Sequence, residues 1–160
     1  MDFCNNKINN EYNLNDELIG FFTNIIENYD KNDIIDKAHD KKHLYQVTNA
    51  MLFIGNELKL DLELCVAIGA LHDIGLLTGN RKMHHKKSAE WVRDNKELLS
   101  GIGYSSIQIS IIETSVFEHR SSSDVKSGIY SKAITDADKM PTHNVDNIIE
   151  RSLILSLIHI

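Results

Sequence analysis

A histidine and an aspartate stand side by side, His72-Asp73, at the end of the most apolar segment of the chain, which carries Leu64, Val66, Ala67, Ile68, Ala70 and Leu71. A carboxylate there is disfavoured twice, by burial among apolar groups and by the negative end of the helix dipole. A cation must compensate it. A lysine or arginine would serve, but a divalent metal is the sharper candidate, because His72 is itself a good ligand and other histidines and carboxylates fall at comparable helix ends. Adjacent helical residues point about 100° apart, so His72 and Asp73 converge on one ion only near a helix end, with remote ligands. His43 lies 29 positions earlier, one helix, a turn and a second helix away, enough for an antiparallel return that brings the two ends together. Asp136 and Asp138 come later, within Ile134-Thr135-Asp136-Ala137-Asp138-Lys139-Met140. The apolar positions there turn one carboxylate inward and leave open which.

The elements that must position these residues read as successive amphipathic helices. The first begins at the N-cap Asn15 and carries Leu18, Phe21, Phe22, Ile25 and Ile26 at helical spacing. A polar link from Asp30 to Lys42 leads into a second, with His43 at its opening and an end near Asn56 to Leu60. Asp61 caps a third, buried on nearly every face, which runs into His72-Asp73 and stops at Ile74-Gly75, with glycine as the breaker. A loop over Leu76 to Lys82 contains the turn pair Gly79-Asn80. A fourth helix spans His85 to Leu99 with Ala89, Trp91, Val92 and Leu98 inward. The Ser105-Ser106 pair caps a fifth that includes Ile107, Ile111, Ile112, Val116 and Phe117 and reaches His119. Arg120 to Gly128 form a polar loop able to act as a lid. Two more helices follow, Tyr130 to Met140 and Val145 to Ile158, divided by Pro141. The expected class is all-α, one compact bundle of about six to eight helices over residues 14–160 after a flexible segment 1–13.

Composition narrows the function. A chain of 160 residues, 42% hydrophobic and 25% charged, with one proline, suits a single domain of long helices. The start lacks a secretory pattern and no apolar run approaches a membrane span, which predicts a cytoplasmic protein with no membrane partner. Cys4 and Cys65 occupy unlike settings, so reduced thiols are expected. A net charge of -6 argues against a nucleic-acid polymer as partner but leaves small anions open. Arg81-Lys82-Met83-His84-His85-Lys86-Lys87 is a local exception, readable as a solvated basic turn or as an anion site. The closing apolar stretch, Leu153 to Ile160, suits packing on the core, with a homodimer contact as an alternative.

Taken in order, these residues resemble the HD-domain superfamily of phosphohydrolases over roughly residues 40 to 140. An early histidine, a central histidine-aspartate pair and a late aspartate are matched by His43, His72, Asp73 and Asp138. His43-Leu44-Tyr45-Gln46-Val47 with Ala50 is similar to the family's first helix, although Gln46 stands where an arginine is common. Ala70-Leu71-His72-Asp73-Ile74-Gly75 is close to the central motif. Ala137-Asp138-Lys139 is similar to the final segment, which favours Asp138 over Asp136. His84, four residues before Ser88-Ala89, and His119 resemble an extended motif of members with a second metal or a histidine-lined phosphate pocket. His85 replaces His84 if the register differs by one. His39, His143 and His159 have no motif context. Leu76 stands where several phosphodiesterase branches carry lysine, and no glycine-tyrosine-proline follows His119, which speaks against a cyclic dinucleotide substrate.

The resemblance implies one or two divalent ions held by His43, His72, Asp73 and Asp138. Imidazole and carboxylate ligands suit manganese, iron, cobalt, nickel or zinc alike. It also implies hydrolysis of a nucleotide or other small phosphate ester through metal-activated water, with Asp73, His84 and His119 catalytic and Lys87 and Arg120 binding substrate. The alternative is a catalytically silent helical module that senses a ligand or docks a partner.

Overall fold

The computed structural model describes residues 12–29, 40–120 and 126–140. Within them the chain forms seven α-helices and no strand, the all-α class expected. They are α1 (Asp16–Tyr29), α2 (Lys41–Glu57), α3 (Leu62–Leu71), α4 (His84–Asp94), α5 (Lys96–Gly101), α6 (Ser106–Glu118) and α7 (Ile129–Lys139). Two 3₁₀ turns, Ile74–Thr78 and Arg81–Met83, join α3 to α4. The expected helix over Val145 to Ile158, residues 1–11 of the N-terminal segment and most of the link after Asp30 lie outside the described residues. None of the described helices is long and apolar enough to cross a membrane.

Caps set the helix starts. The Asn15 side chain accepts from the amides of Glu17 and Leu18, and Asp40 accepts from that of His43. Asp61 accepts from Glu63 and Leu64, and Ser105 and Gln108 form a reciprocal capping box. Each cap satisfies amides that the first turn leaves without intrahelical partners. Helix α3, hydrophobic all round, is buried from Leu64 to Leu71 and packs most extensively on α2. Phe22 and Ile26 of α1, Leu44, Met51 and Leu52 of α2, Ile112 of α6 and Ile134 of α7 close around it, all fully buried.

Three local expectations need correction. Helix α3 ends at Leu71 rather than at Ile74-Gly75, with His72 as its C-cap. Gly75 is no left-handed breaker. A Cβ there would stand 2.1 Å from the His84 carbonyl oxygen and 2.6 Å from the Ser88 amide nitrogen, so glycine lets α4 press against the turn after Asp73. The left-handed residue is Gly79, φ 79°. The single helix expected over His85 to Leu99 is broken at Asn95, whose amide and side chain both bond to the Trp91 carbonyl. Asparagine competes with the helical ladder in this way, and α5 restarts at Lys96. Leu99 is therefore buried while Leu98, expected inward, is 48% exposed; Trp91 is only partly buried.

Candidate metal centre

The packing gathers five helix ends into one place. His43 lies in the first turn of α2 and His84 opens α4; His72 and His119 cap the C-termini of α3 and α6, and Asp138 sits in the last turn of α7. Three helix C-termini thus converge, and their partial negative charges favour a cation. Asp73, next to His72, is 3% exposed.

Two donor groups share Asp73. One ligand atom from each of His43, His72, Asp73 and Asp138 lies within 4.8 Å of the others, and the same holds for Asp73, His84 and His119. Oδ2 of Asp73 faces Nε2 of His72 at 3.3 Å and Nε2 of His43 at 3.7 Å. Its Oδ1 faces Nε2 of His84 at 3.3 Å and Nε2 of His119 at 3.4 Å. Oδ1 of Asp138 completes the first group, 3.0 Å from His43 and 3.5 Å from His72. Neighbouring donors about 2.1 Å from one ion stand about 3.0 to 3.4 Å apart in octahedral or tetrahedral shells, so these spacings suit a shared ion.

The imidazoles are oriented by their backs. Nδ1 of His72 lies 2.8 Å from the Gly69 carbonyl, Nδ1 of His84 lies 2.6 Å from that of Arg81, and Nδ1 of His119 lies 2.6 Å from that of Val116. A carbonyl only accepts, so each Nδ1 carries the hydrogen and a neutral ring presents the lone pair of Nε2 to the cluster. Two consequences follow. Nε2 of His72 is buried without a hydrogen-bond partner, a state costing about 1 to 3 kcal/mol if nothing fills it. Nε2 of His84 and Nε2 of His119 face each other at 3.1 Å, a repulsive pair of lone pairs unless a proton or a metal lies between them. The donor set, the orphaned nitrogen and the spacings all fit a divalent ion.

Without a metal, protons take its place. Burial opposes charge on His72, but the Asp73 carboxylate, with Asp138, raises its pKa well above the usual imidazole value. Burial would raise Asp73, yet the His72 charge and the imidazole nitrogens of His119, His72 and His84, 3.3 to 3.4 Å from its oxygens, hold its carboxyl well below the usual range. Asp138 is lowered likewise, burial being outweighed by His43 and His72. His84 is raised, because its bond to Asp73 outweighs partial burial.

Of the open alternatives, Asp138 joins the cluster and Asp136 does not; His84 joins it and His85 does not. His85 packs its ring on Phe117, centroids 5.6 Å apart, with its Nδ1 3.5 Å from an Arg120 guanidinium nitrogen. Burial and then the Arg120 charge push His85 down to about 4, so it is a neutral acceptor. Arg120 also donates to the Lys82 carbonyl at 3.0 Å. The Lys87 ammonium pairs with Glu90 at 2.7 Å. The expected lid is described only at its two sides. There Lys126 donates to the carbonyls of Glu118 and Arg120, and Ser127 donates its amide and hydroxyl to the Glu118 carboxylate.

Several residues that shape the site carry no sequence signal of that role. The Tyr29 hydroxyl donates to the Asp73 carbonyl at 3.0 Å. The Ser88 hydroxyl donates to the His72 carbonyl at 2.8 Å and accepts from the Gly75 amide at 2.9 Å. Glu118, buried beside His119, anchors the chain at Ser127. Tyr29 reads as one more apolar residue at a helix end, and Ser88 only as a small residue four positions after His84.

The fold and site define an all-helical protein with a composite histidine-aspartate centre built from helix ends. A family model for the HD domain matches residues 41–155, well over half of the chain, and the chain belongs to the HD-domain family. No curated protein and no solved structure matches it.

Proposed function

We propose that the chain is a metal-dependent phosphohydrolase acting on a nucleotide or another small phosphate ester. The observation that carries this reading is Nε2 of His72, fully buried, without a hydrogen-bond partner, and aimed between two carboxylates whose other neighbours are imidazoles. His43, His72, Asp73 and Asp138 would hold one divalent ion, manganese, iron, cobalt, nickel or zinc. A second would use the other oxygen of Asp73 with His84 and His119. Such an ion supplies a lowered pKa for a water in its shell and withdraws charge from a phosphoryl oxygen. Asp73 stays ionised and is placed to take the proton of the attacking water. Where no second ion binds, His84 and His119 would instead meet phosphoryl oxygens or protonate the leaving oxygen, and in either case Arg120 would balance the charge that develops there. A cytoplasmic setting accords with Cys65, a free and buried thiol.

The test is metal analysis combined with turnover of a chromogenic phosphodiester, a phosphomonoester and a panel of nucleoside triphosphates in added manganese. Asp73→Asn is expected to lower metal occupancy and abolish hydrolysis at nearly unchanged helicity. Full activity in that variant would sink the reading. Metal bound by the wild type with no turnover of any substrate would favour a silent module instead.

A further inference from the structure

Aromatic rings form an unbroken series from the core to the surface. His43 and His72 stand 5.6 Å apart by centroid, His72 and His119 5.2 Å, His119 and His84 5.0 Å, His84 and His85 6.0 Å, and His85 and Phe117 5.6 Å. The first four belong to the metal-type centre. The last two do not, and nothing in that centre requires them. Phe117 is 43% exposed, the only aromatic among the large apolar side chains standing out to solvent in the described residues. Arg120, just beyond the end of α6, flanks the same His85 ring. Its Nη1 is shared between the Lys82 carbonyl and Nδ1 of His85, and Nε and Nη2 donate no hydrogen bond to the described residues.

We infer that Phe117 and His85 form a stacking platform for a flat heteroaromatic ring, with Arg120 beside it for the attached phosphate, so that the substrate is a phosphate ester of a base-bearing nucleoside rather than of a plain sugar or alcohol. The inference rests on the phosphohydrolase reading and narrows it. Each ring face presents a polarisable surface to a base, and such stacking is sequence-tolerant and strong enough to decide affinity. A fixed guanidinium edge suits phosphate oxygens better than a flexible ammonium does. The geometry spans the required length. Ring steps of 5.6 Å and 6.0 Å link Phe117 to His84 through His85, so a base on the platform and a phosphoryl group at the histidines would be close enough for one ribose to join them.

The test compares adenosine 5′-monophosphate with ribose 5-phosphate, which share the ester and differ by the base, binding to the manganese-loaded protein in calorimetry. The wild type is expected to bind the nucleotide about tenfold more tightly or better. Phe117→Leu, on an exposed position that tolerates change, should reduce that preference to about twofold, leaving manganese affinity and ribose 5-phosphate binding unchanged. Ile107→Ser, on the same helix, should leave the preference intact. Equal binding of the two ligands by the wild type, or a full preference retained in Phe117→Leu, overturns the platform and leaves the phosphohydrolase reading standing. A wild type that takes up none of manganese, iron, cobalt, nickel or zinc overturns both.

Discussion

The phenol of Tyr29, at the end of α1, hydrogen-bonds the backbone carbonyl of Asp73, the residue whose two oxygens face both donor groups. A buried side chain from the first described helix thus holds the peptide that aims the central carboxylate. Ser88 holds the preceding carbonyl and the Gly75 amide from the other side. The turn through His72 and Asp73 is clasped at three backbone groups, so the carboxylate is aimed before any ligand arrives.

Tyr29→Phe removes only that hydroxyl. Tyr104→Phe is the matching control, since the Tyr104 hydroxyl is also largely buried and donates to a carbonyl, that of Glu63, at 2.7 Å. Both variants are expected to lose about 1 kcal/mol of stability by denaturant titration. Manganese affinity should fall about tenfold in Tyr29→Phe alone. Equal metal affinity in the two variants would reduce the Tyr29 bond to a general stabilising contact.

Gly75→Ala tests the contact between the turn and α4. The added methyl meets the His84 carbonyl oxygen and the Ser88 amide, both backbone, so relief requires α4 to move. A loss of about 2 kcal/mol or more is expected in urea unfolding. His84 opens α4, so the Asp73, His84 and His119 group should weaken before the other. Unchanged stability in this variant would show that the turn and α4 do not press together as described.

Metal binding should release protons. His72 has a pKa well above the usual imidazole value, His84 is raised in the same direction and Asp73 lies well below the usual range, so near neutral pH the metal-free centre holds a proton on His72 and none on that carboxylate. A divalent ion displaces that proton, and its affinity is expected to rise with pH until the imidazoles are neutral. The metal-free fold should respond in the opposite sense. Stability from a raised imidazole is present below its ordinary value of 6.5 and lost as pH rises through the raised one. Stability from Asp73 and Asp138 is present above the ordinary carboxylate value of 3.8 and lost only at more acid pH. Calorimetry in buffers of different ionisation enthalpy measures the released protons; buffer-independent heats would contradict the protonated centre.

The helical period of α1, the caps Asn15, Asp61 and Ser105, and the unbroken apolar run of α3 are legible in the sequence because they depend on residues within a turn or two of each other. The burden on Asp73 is legible for the same reason, since burial and the helix dipole can both be read from the segment that ends there. The choice of His84 over His85, of Asp138 over Asp136 and of Leu99 over Leu98 was made by the tertiary structure. Each is a rotation of one or two residues about a helix axis, and the direction of the core is set by how distant elements pack. The break at Asn95 separates α5 from α4, and the bare Cα of Gly75 lets α4 close on the turn after Asp73. Tyr29 and Ser88 belong to the same category, because a hydroxyl has no preferred partner until packing delivers a carbonyl to it.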